Sequence, residues 1–287
     1  MDIERIGVVG CGLMGSGIAE VCAREGIDVV VVDADDAAVK AGRDRIEGSL
    51  ANAVRRGKLD EADRERALEA VSFSVQLDAL ADRQMVVEAV PESEEIKTAV
   101  FRSLDDIVAD PEAILASNTS SIPIMKLGMA TRRPAQVIGV HFFNPVPVLP
   151  LVELVSSLVT SDDTTARAAR FAEGQLHKHV IRSQDRAGFI VNALLIPYLL
   201  SAIRMLESGF AAAEDIDLGM VQGCAHPMGP LALTDLIGLD TTMAIADALY
   251  EEFKEPLYAP PPLLSRMVEA GLLGRKSGRG FHIYEAQ

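Results

Sequence analysis

The chain has 287 residues, 49% of them hydrophobic, with 27 Lys and Arg against 42 Asp and Glu for a formal net charge of −15. That length exceeds what one hydrophobic core usually serves, so two domains are expected, with ample apolar material for both. So acidic a chain is excluded as a general binder of nucleic acid or anionic membrane, and an anionic ligand would need a local basic patch.

The first element is an apolar run at 6–9, read as a strand. It leads into Gly10-Cys11-Gly12-Leu13-Met14-Gly15 and a helix-like stretch at 16–24. A second apolar run at 29–32 ends on Asp33, 18 residues after Gly15. Each part of this order has its own task. Gly10 permits a tight turn, Gly12 lets the backbone approach a pyrophosphate, and Gly15 lets the helix pack close to the strand. The helix start offers N–H groups and a partial positive charge to phosphates. Asp33 stands where a carboxylate accepts the ribose hydroxyls of a dinucleotide. Cys11 inside the turn is read as a small filler in preference to a reactive thiol.

Further strands are expected at 71–75, 85–90, 113–116 and 137–143, with amphipathic helices at 36–56, 61–70 and 96–108 between them. Nearly continuous apolar strands alternating with helices predict an α/β fold, a Rossmann-type, doubly wound, mostly parallel sheet. After Asp185-Arg186-Ala187-Gly188 the strand-like runs stop. Helices are expected at 189–207, 213–222, 231–253 and 263–270, separated by Gly209, by His226 to Pro230 and by Pro260 to Pro262. The expected division is therefore a dinucleotide-binding domain at 1–185 and an all-helical domain at 186–287. The helical part carries more apolar surface than a small domain covers, so a homodimer is expected through it.

The segment 189–203 falls short of the ~20 apolar residues that span a bilayer and is read as a buried helix. Met1 to Arg5 lacks the basic flank and apolar core of a signal peptide. Three cysteines, Cys11, Cys22 and Cys224, are too few for a disulfide framework. Together these predict a cytoplasmic protein that spans no membrane.

The chemistry-bearing residues cluster at expected strand ends. Ser117-Asn118-Thr119-Ser120-Ser121 follows the strand at 113–116, where ligands bind in open α/β sheets, although small hydroxyl residues there also serve as helix caps. His141-Phe142-Phe143-Asn144-Pro145 ends another strand, and a histidine there is either a general base or a buried ring bonded to backbone. Glu153, inside the apolar run 151–155, would be costly if buried unpaired; His141 is its nearest candidate partner along the chain, and a surface position on an edge strand is the alternative. Asn192 interrupts an apolar run, so its amide bonds either backbone or a substrate oxygen. His177 and His179 flank Lys178 in a polar stretch read as solvated. No cluster has metal-ligand spacing, so no metal is expected.

The whole chain, in order, resembles the 3-hydroxyacyl-CoA dehydrogenases, especially the short bacterial 3-hydroxybutyryl-CoA type. The resemblance rests on the glycine turn with Met14, on Glu88-Ala89-Val90, Ser117 to Ser121 and His141 to Pro145. It continues through Gly188 to Asn192, Pro227 to Pro230, Gly238-Leu239-Asp240 and Gly278 to Phe281. It implies that His141 removes the 3-hydroxyl proton, that Glu153 orients and polarises it, and that Ser120 and Asn192 bond the substrate oxygens. It implies NAD as hydride acceptor, held by the glycine turn (Gly10, Gly12, Leu13, Met14, Gly15), Asp33, Glu92, Lys97, Asn144 and Lys276. It implies an acyl-CoA substrate with Ser49 and Arg56 near the CoA moiety, and a homodimer through the helical domain. The basic patch Arg55-Arg56-Gly57-Lys58 fits an anionic CoA independently. Two departures stand out: Ala187 where a proline usually precedes the glycine, which predicts a looser joint, and Arg56 where lysine is common. The alternatives are a crystallin-like gulonate (sugar-acid) dehydrogenase, against which Phe142-Phe143 and the basic patch argue, and a non-catalytic dinucleotide-binding protein.

Overall fold

Runs of Val, Ile and Leu with no polar face are stable only when covered on both sides, and helices at their flanks supply that cover. The computed structural model describes residues 2–284. Its first part runs β1 (Arg5–Val9), α1 (Leu13–Arg24), β2 (Asp28–Val32), α2 (Asp36–Arg55), α3 (Glu61–Glu69), β3 (Val71–Ser74), β4 (Met85–Glu88), α4 (Glu94–Ile107), β5 (Ile114–Ser117), α5 (Ile124–Met129), β6 (Val137–Phe142), β7 (Leu151–Ser156), α6 (Asp162–Arg170) and β8 (His179–Gln184). The eight strands form one sheet in the order β3-β2-β1-β4-β5-β6-β7-β8. All neighbouring pairs are parallel except β6 and β7, so β7 and β8 run against the other six. The doubly wound sheet is the one the alternating pattern predicts.

Two strands were not legible as such. Glu153 places a charge inside the apolar run of β7, and β8, the sheet's outer strand, has only Val180 and Ile181 as apolar residues. His177 and His179 are exposed, as expected, but Lys178 between them is not. Lys178 is buried and its ammonium donates to the carbonyls of Val146 (2.7 Å) and Leu149 (2.8 Å). Burial pushes its pKa down, with nearby Arg24 adding to the effect.

The described chain divides into two compact units, the first ending at Arg186 and the second beginning at Ala187. The second is helical: α7 (Val191–Glu207), α8 (Ala213–Cys224), α9 (Pro230–Ile237), α10 (Leu239–Phe253) and α11 (Pro262–Glu269). Its core gathers Ile196, Leu200, Ile203, Leu231, Leu239, Leu249 and Leu264. The single helix expected over 231–253 is two, because Gly238 turns the chain at φ +103°, a conformation costly for any residue with a Cβ. Buried carboxylates organise this unit. Asp217 accepts from the N–H groups of Leu231 and Ala232 at the start of α9 and pairs with His282 Nε2 at 2.8 Å. Asp235 accepts from the N–H groups of Phe281 and His282 and from the Tyr284 hydroxyl. Burial and that bond to Asp235 push the Tyr284 hydroxyl up to about 12. At Ala187 the N–H that a proline would lack donates to Glu252 Oε2 at 2.9 Å, tying the unit's first residue to α10. Among the described residues no helix is long and apolar enough to cross a membrane.

Candidate active site

Strand register gathers the chemistry at one sheet edge. Val9 pairs with Glu88, Glu88 with Ser117, and Ser117 with Gly139, so β1, β4, β5 and β6 end side by side. Beyond those ends lie the glycine turn, the segment 88–92, the Ser117–Ser121 loop and His141.

The glycine turn has the shape its sequence demands. A Cβ on Gly10 would meet the Ala89 carbonyl oxygen at 2.6 Å, and one on Gly15 would meet the Gly10 oxygen at 1.8 Å. A Cβ on Gly12 would meet nothing within 4 Å, so open space lies over the turn at the start of α1. No side chain caps that helix start and no acidic residue sits in its first turn. Uncapped N–H groups facing open space are what a pyrophosphate needs. Asp33 follows β2 and accepts from Cys11 N–H (2.6 Å) and Ala34 N–H (2.7 Å), which braces the turn. Each oxygen retains a second lone pair for a ribose hydroxyl. These residues fit a dinucleotide. Leu13 is exposed and Met14 packs against the core, both in the first turn of α1. Cys11 is buried, and burial pushes its thiol up, so it is a packed filler and not a nucleophile.

Next to the turn lies a buried ionic network. Glu88 is fully buried and accepts from Ser117 Oγ (2.6 Å), Val90 N–H (2.7 Å) and Lys97 Nζ (2.6 Å). Lys97, 1% exposed, also donates to the Val90 carbonyl and lies 3.3 Å from Glu92. Glu92 Oε1 in turn accepts from the Thr119 hydroxyl, Ser120 N–H, Ser121 N–H and Ser121 Oγ. Burial opposes ionisation of Glu92, but the Lys97 ammonium and these hydrogen bonds outweigh it and hold the carboxyl below the ordinary range. Glu92 and Lys97 are both associated with the cofactor by resemblance; the Glu92 side chain is 39% exposed at the edge, and Lys97 is buried beside it. The hydroxyl loop does not cap α5 in the usual way. The first N–H groups of that helix, Ile124 and Met125, go to the Asp185 carboxylate at 2.8 and 2.7 Å. Instead the loop is pinned from one side by Glu92 and from the other by Asn118, whose Oδ1 accepts from Phe142 N–H at 2.9 Å.

His141 pairs directly across the sheet with Glu153 on β7. Its Nδ1 is 2.8 Å from Glu153 Oε2, the histidine is 7% exposed and the glutamate fully buried. The surface alternative for Glu153 is removed by β8, which covers the outer side of β7. The Phe143 ring lies 4.6 Å from the imidazole. An acid-oriented imidazole of this kind takes up a proton at its far nitrogen.

Ser49 and Arg56 lie on and just past α2. They share a cleft of about 170 Å³ with Glu20, Arg24 and Lys58. Arg55 turns aside, its guanidinium bonding Asn52 Oδ1 at 2.9 Å. A second cavity of about 230 Å³, also lined by Glu20 and Ser49, reaches Asn144 and Pro145. Lys178, through the carbonyls of Val146 and Leu149, holds the loop that walls both. Nothing in the polar sequence around it marked that task.

The remaining candidates belong to the helical unit. Asn192 is buried in the first turn of α7. Lys276 grips both oxygens of Asp240 at 2.6 Å, beneath Gly238. Among the described residues no group of three His, Cys, Asp or Glu is placed to hold a metal ion.

A Rossmann sheet with an open glycine turn, and a histidine–glutamate pair at the same strand ends, defines a nicotinamide-dependent oxidoreductase. Residues 5–186 match the family of the 3-hydroxyacyl-CoA dehydrogenase NAD-binding domain, and residues 188–284 match the 3-hydroxyacyl-CoA dehydrogenase C-terminal domain. The chain is 60% identical over 282 residues to a 3-hydroxybutyryl-CoA dehydrogenase of Mycobacterium tuberculosis, covering 98% of this chain and 99% of the relative. Its structure matches M. tuberculosis FadB2 with a TM-score of 0.98 at 60% identity, over 99% of this chain and 100% of the other. It matches the (S)-3-hydroxybutyryl-CoA dehydrogenase PaaH1 of Ralstonia eutropha with a TM-score of 0.94 at 46% identity, over 99% and 100%. The chain belongs to the 3-hydroxyacyl-CoA dehydrogenase family, and its cofactor is NAD.

Proposed function

We propose that the protein interconverts a (3S)-3-hydroxyacyl-CoA, of which 3-hydroxybutyryl-CoA is the favoured case, with its 3-ketoacyl-CoA. The observation that carries this reading is the buried His141–Glu153 pair at 2.8 Å beside the hydroxyl loop. Glu153 accepts the Nδ1–H of His141, so the lone pair rests on Nε2, and Nε2 takes the proton of the substrate 3-hydroxyl. As that proton arrives, the Glu153 charge stabilises the imidazolium. In the reverse direction the same nitrogen returns the proton to the ketone oxygen. Ser120, on a loop fixed by Glu92 and Asn118, donates to the substrate oxygen and keeps the carbinol carbon oriented. NAD, when bound, supplies the hydride acceptor. Arg56 and Lys58 attract the CoA phosphates and Ser49 bonds within the same cleft. The parts of Asn192 at the substrate, and of Asn144 and Lys276 at the cofactor, rest on the family resemblance.

Turnover of acetoacetyl-CoA with NADH tests the reading and separates it from a sugar-acid dehydrogenase or a silent dinucleotide-binding protein. His141→Gln is expected to keep NADH affinity and lower kcat by ~100-fold or more. Glu153→Gln is expected to slow turnover as well, and the double variant to lose less than the product of the two, because the pair acts as one unit. Near-normal turnover by His141→Gln would place the base elsewhere.

We further propose a homodimer formed through the helical unit and a cytoplasmic location. Leu194, Phe210, Leu218 and Leu236 of that unit are half or more exposed. An apolar cavity of about 390 Å³ between α7 and α8 is lined by Met205, Phe210, Ile216 and Met220. Exposed apolar surface on that scale marks a contact face. Light scattering that finds a 30.7 kDa species at micromolar concentration would overturn the dimer. Cys11, Cys22 and Cys224 form no disulfide, which supports a reducing compartment.

A further inference from the structure

Glu20 has no part in the mechanism above, yet it is an unusual residue for its place. It lies on α1, 1% exposed, inside a helix whose other buried residues are small or apolar. Among the described residues its Oε1 has no hydrogen-bond partner. Arg24, one turn along the same helix, forms an ion pair with that oxygen at 3.6 Å, a contact longer than a hydrogen bond. A carboxylate oxygen left without a donor in a buried position is costly, so its retention calls for a donor that arrives from outside. Burial pushes its carboxyl up, and hydrogen bonding from Ser49 and the charge and hydrogen bonding of Arg24 oppose the rise.

The place of Glu20 defines that donor. It lines two neighbouring cavities of the first unit. One opens among Arg24, Arg56 and Lys58, the other runs to Asn144 and Pro145, which follow the strand bearing His141. Glu20 therefore stands between a cationic end suited to phosphates and an end that leads toward the base. In an acyl-CoA the segment between phosphates and thioester is pantetheine, and its phosphate-proximal half offers one hydroxyl and one amide N–H. Both are neutral donors that match a carboxylate acceptor, whereas the phosphates themselves would be repelled by it.

We infer that Glu20 accepts a hydrogen bond from the hydroxyl or amide N–H of the pantoyl segment of the CoA substrate, and so makes the enzyme select CoA thioesters over shorter thioesters. This rests on the acyl-CoA reading above. Glu20 is then a specificity-determining residue for the thiol carrier, remote from the reacting carbon.

The test compares Glu20→Met, which keeps the volume and removes the acceptor, with wild type on three thioesters of acetoacetate: CoA, pantetheine and N-acetylcysteamine. The last lacks the pantoyl segment. The inference expects KM for the first two to rise about tenfold or more, the scale of losing a hydrogen bond to a charged acceptor. It expects kcat to stay within about twofold and N-acetylcysteamine kinetics to be unchanged. Calorimetric titration with free CoA should show the same weakening, and Glu20→Gln, which keeps an acceptor oxygen, should recover part of it. Equal losses on all three thioesters would assign Glu20 a structural role and overturn the inference. Wild-type KM values in Glu20→Met would overturn it too while leaving the acyl-CoA reading intact. Absence of wild-type turnover with acetoacetyl-CoA would remove that reading and this inference together.

Discussion

Replacing Lys97 with methionine isolates the buried network under the active-site edge. Lys97 and Glu88 are both essentially inaccessible and meet at 2.6 Å. Methionine fills similar volume without charge, so the substitution removes one partner and leaves Glu88 as a buried anion with Ser117 Oγ and Val90 N–H as its remaining donors. Breaking a buried pair from one side costs about 3–5 kcal/mol. For a unit of this size that corresponds to a fall of roughly 6–20 °C in Tm, at 2–4 °C per kcal/mol. The double variant Lys97→Met with Glu88→Gln removes both charges and should recover about 1–3 kcal/mol of the loss, although the amide satisfies only one of the two remaining donors. Urea denaturation of wild type, both single variants and the double variant, followed by circular dichroism, measures the cycle. The same variant withdraws the cation beside Glu92, so the loop bearing Ser120 should loosen and kcat should fall with stability. A Lys97→Met protein within about 1 kcal/mol of wild type, or a double variant no better than Lys97→Met, would refute the claim that the pair is a buried, mutually dependent unit.

Cofactor choice and acid sensitivity follow from the same edge. NADH should be preferred over NADPH by about 100-fold or more in kcat/KM, because a 2′-phosphate beside Asp33 is a like-charge contact costing several kcal/mol. Ala34 supplies no cation, and Arg43, the residue to suspect if NADPH serves equally well, is held 4.5 Å over the Phe73 ring. Asp105 behaves like Glu92: burial opposes its ionisation, but Arg132 and Arg133 outweigh it and depress its carboxyl. Depressed folded values mean that this stabilisation is fully present above the ordinary carboxylate range of about 3.9–4.3 and is lost as pH falls through the folded values. Melting temperature should therefore be flat from neutral pH to about 5 and fall below about 4, less steeply in Asp105→Asn; a rise in stability on acidification would contradict the assignment.

The sequence made the glycine turn, the hydroxyl loop and His141 legible because each depends on local chemistry: a turn that admits only glycine, a strand end, a histidine among β-branched residues. The pairing of His141 with Glu153 could be suspected from the cost of burying an acid, but its directness comes from an antiparallel register that no local pattern encodes. Strand β8 escaped notice because an outer strand keeps polar residues on its open side. Lys178 and Asp185 escaped because their roles depend on partners tens of residues away: carbonyls of the 144–150 loop for one, the start of α5 for the other. The break at Gly238 was visible as a glycine, yet its apolar flanks read as one continuous helix. Asp217, Asp235 and His282, which fasten the C-terminal segment to the helical unit, gave no signal either, since a single acid in a helix looks like a solvated one.

The reversal of direction at β7 places a constraint on how this chain can change length. His141 and Glu153 face each other only because the connection 143–150 delivers β7 in one register. Side chains on a strand alternate between faces, so sliding β7 by a single position would turn Glu153 to the opposite side of the sheet and bring a leucine or valine toward the imidazole. Insertions or deletions of one residue in that connection are thus frame errors in space, able to abolish the acid–base pair while leaving every residue of it present. The loop between α2 and α3 joins two helices and carries no such parity; what constrains it is the placing of Arg56 and Lys58 in the cationic cleft.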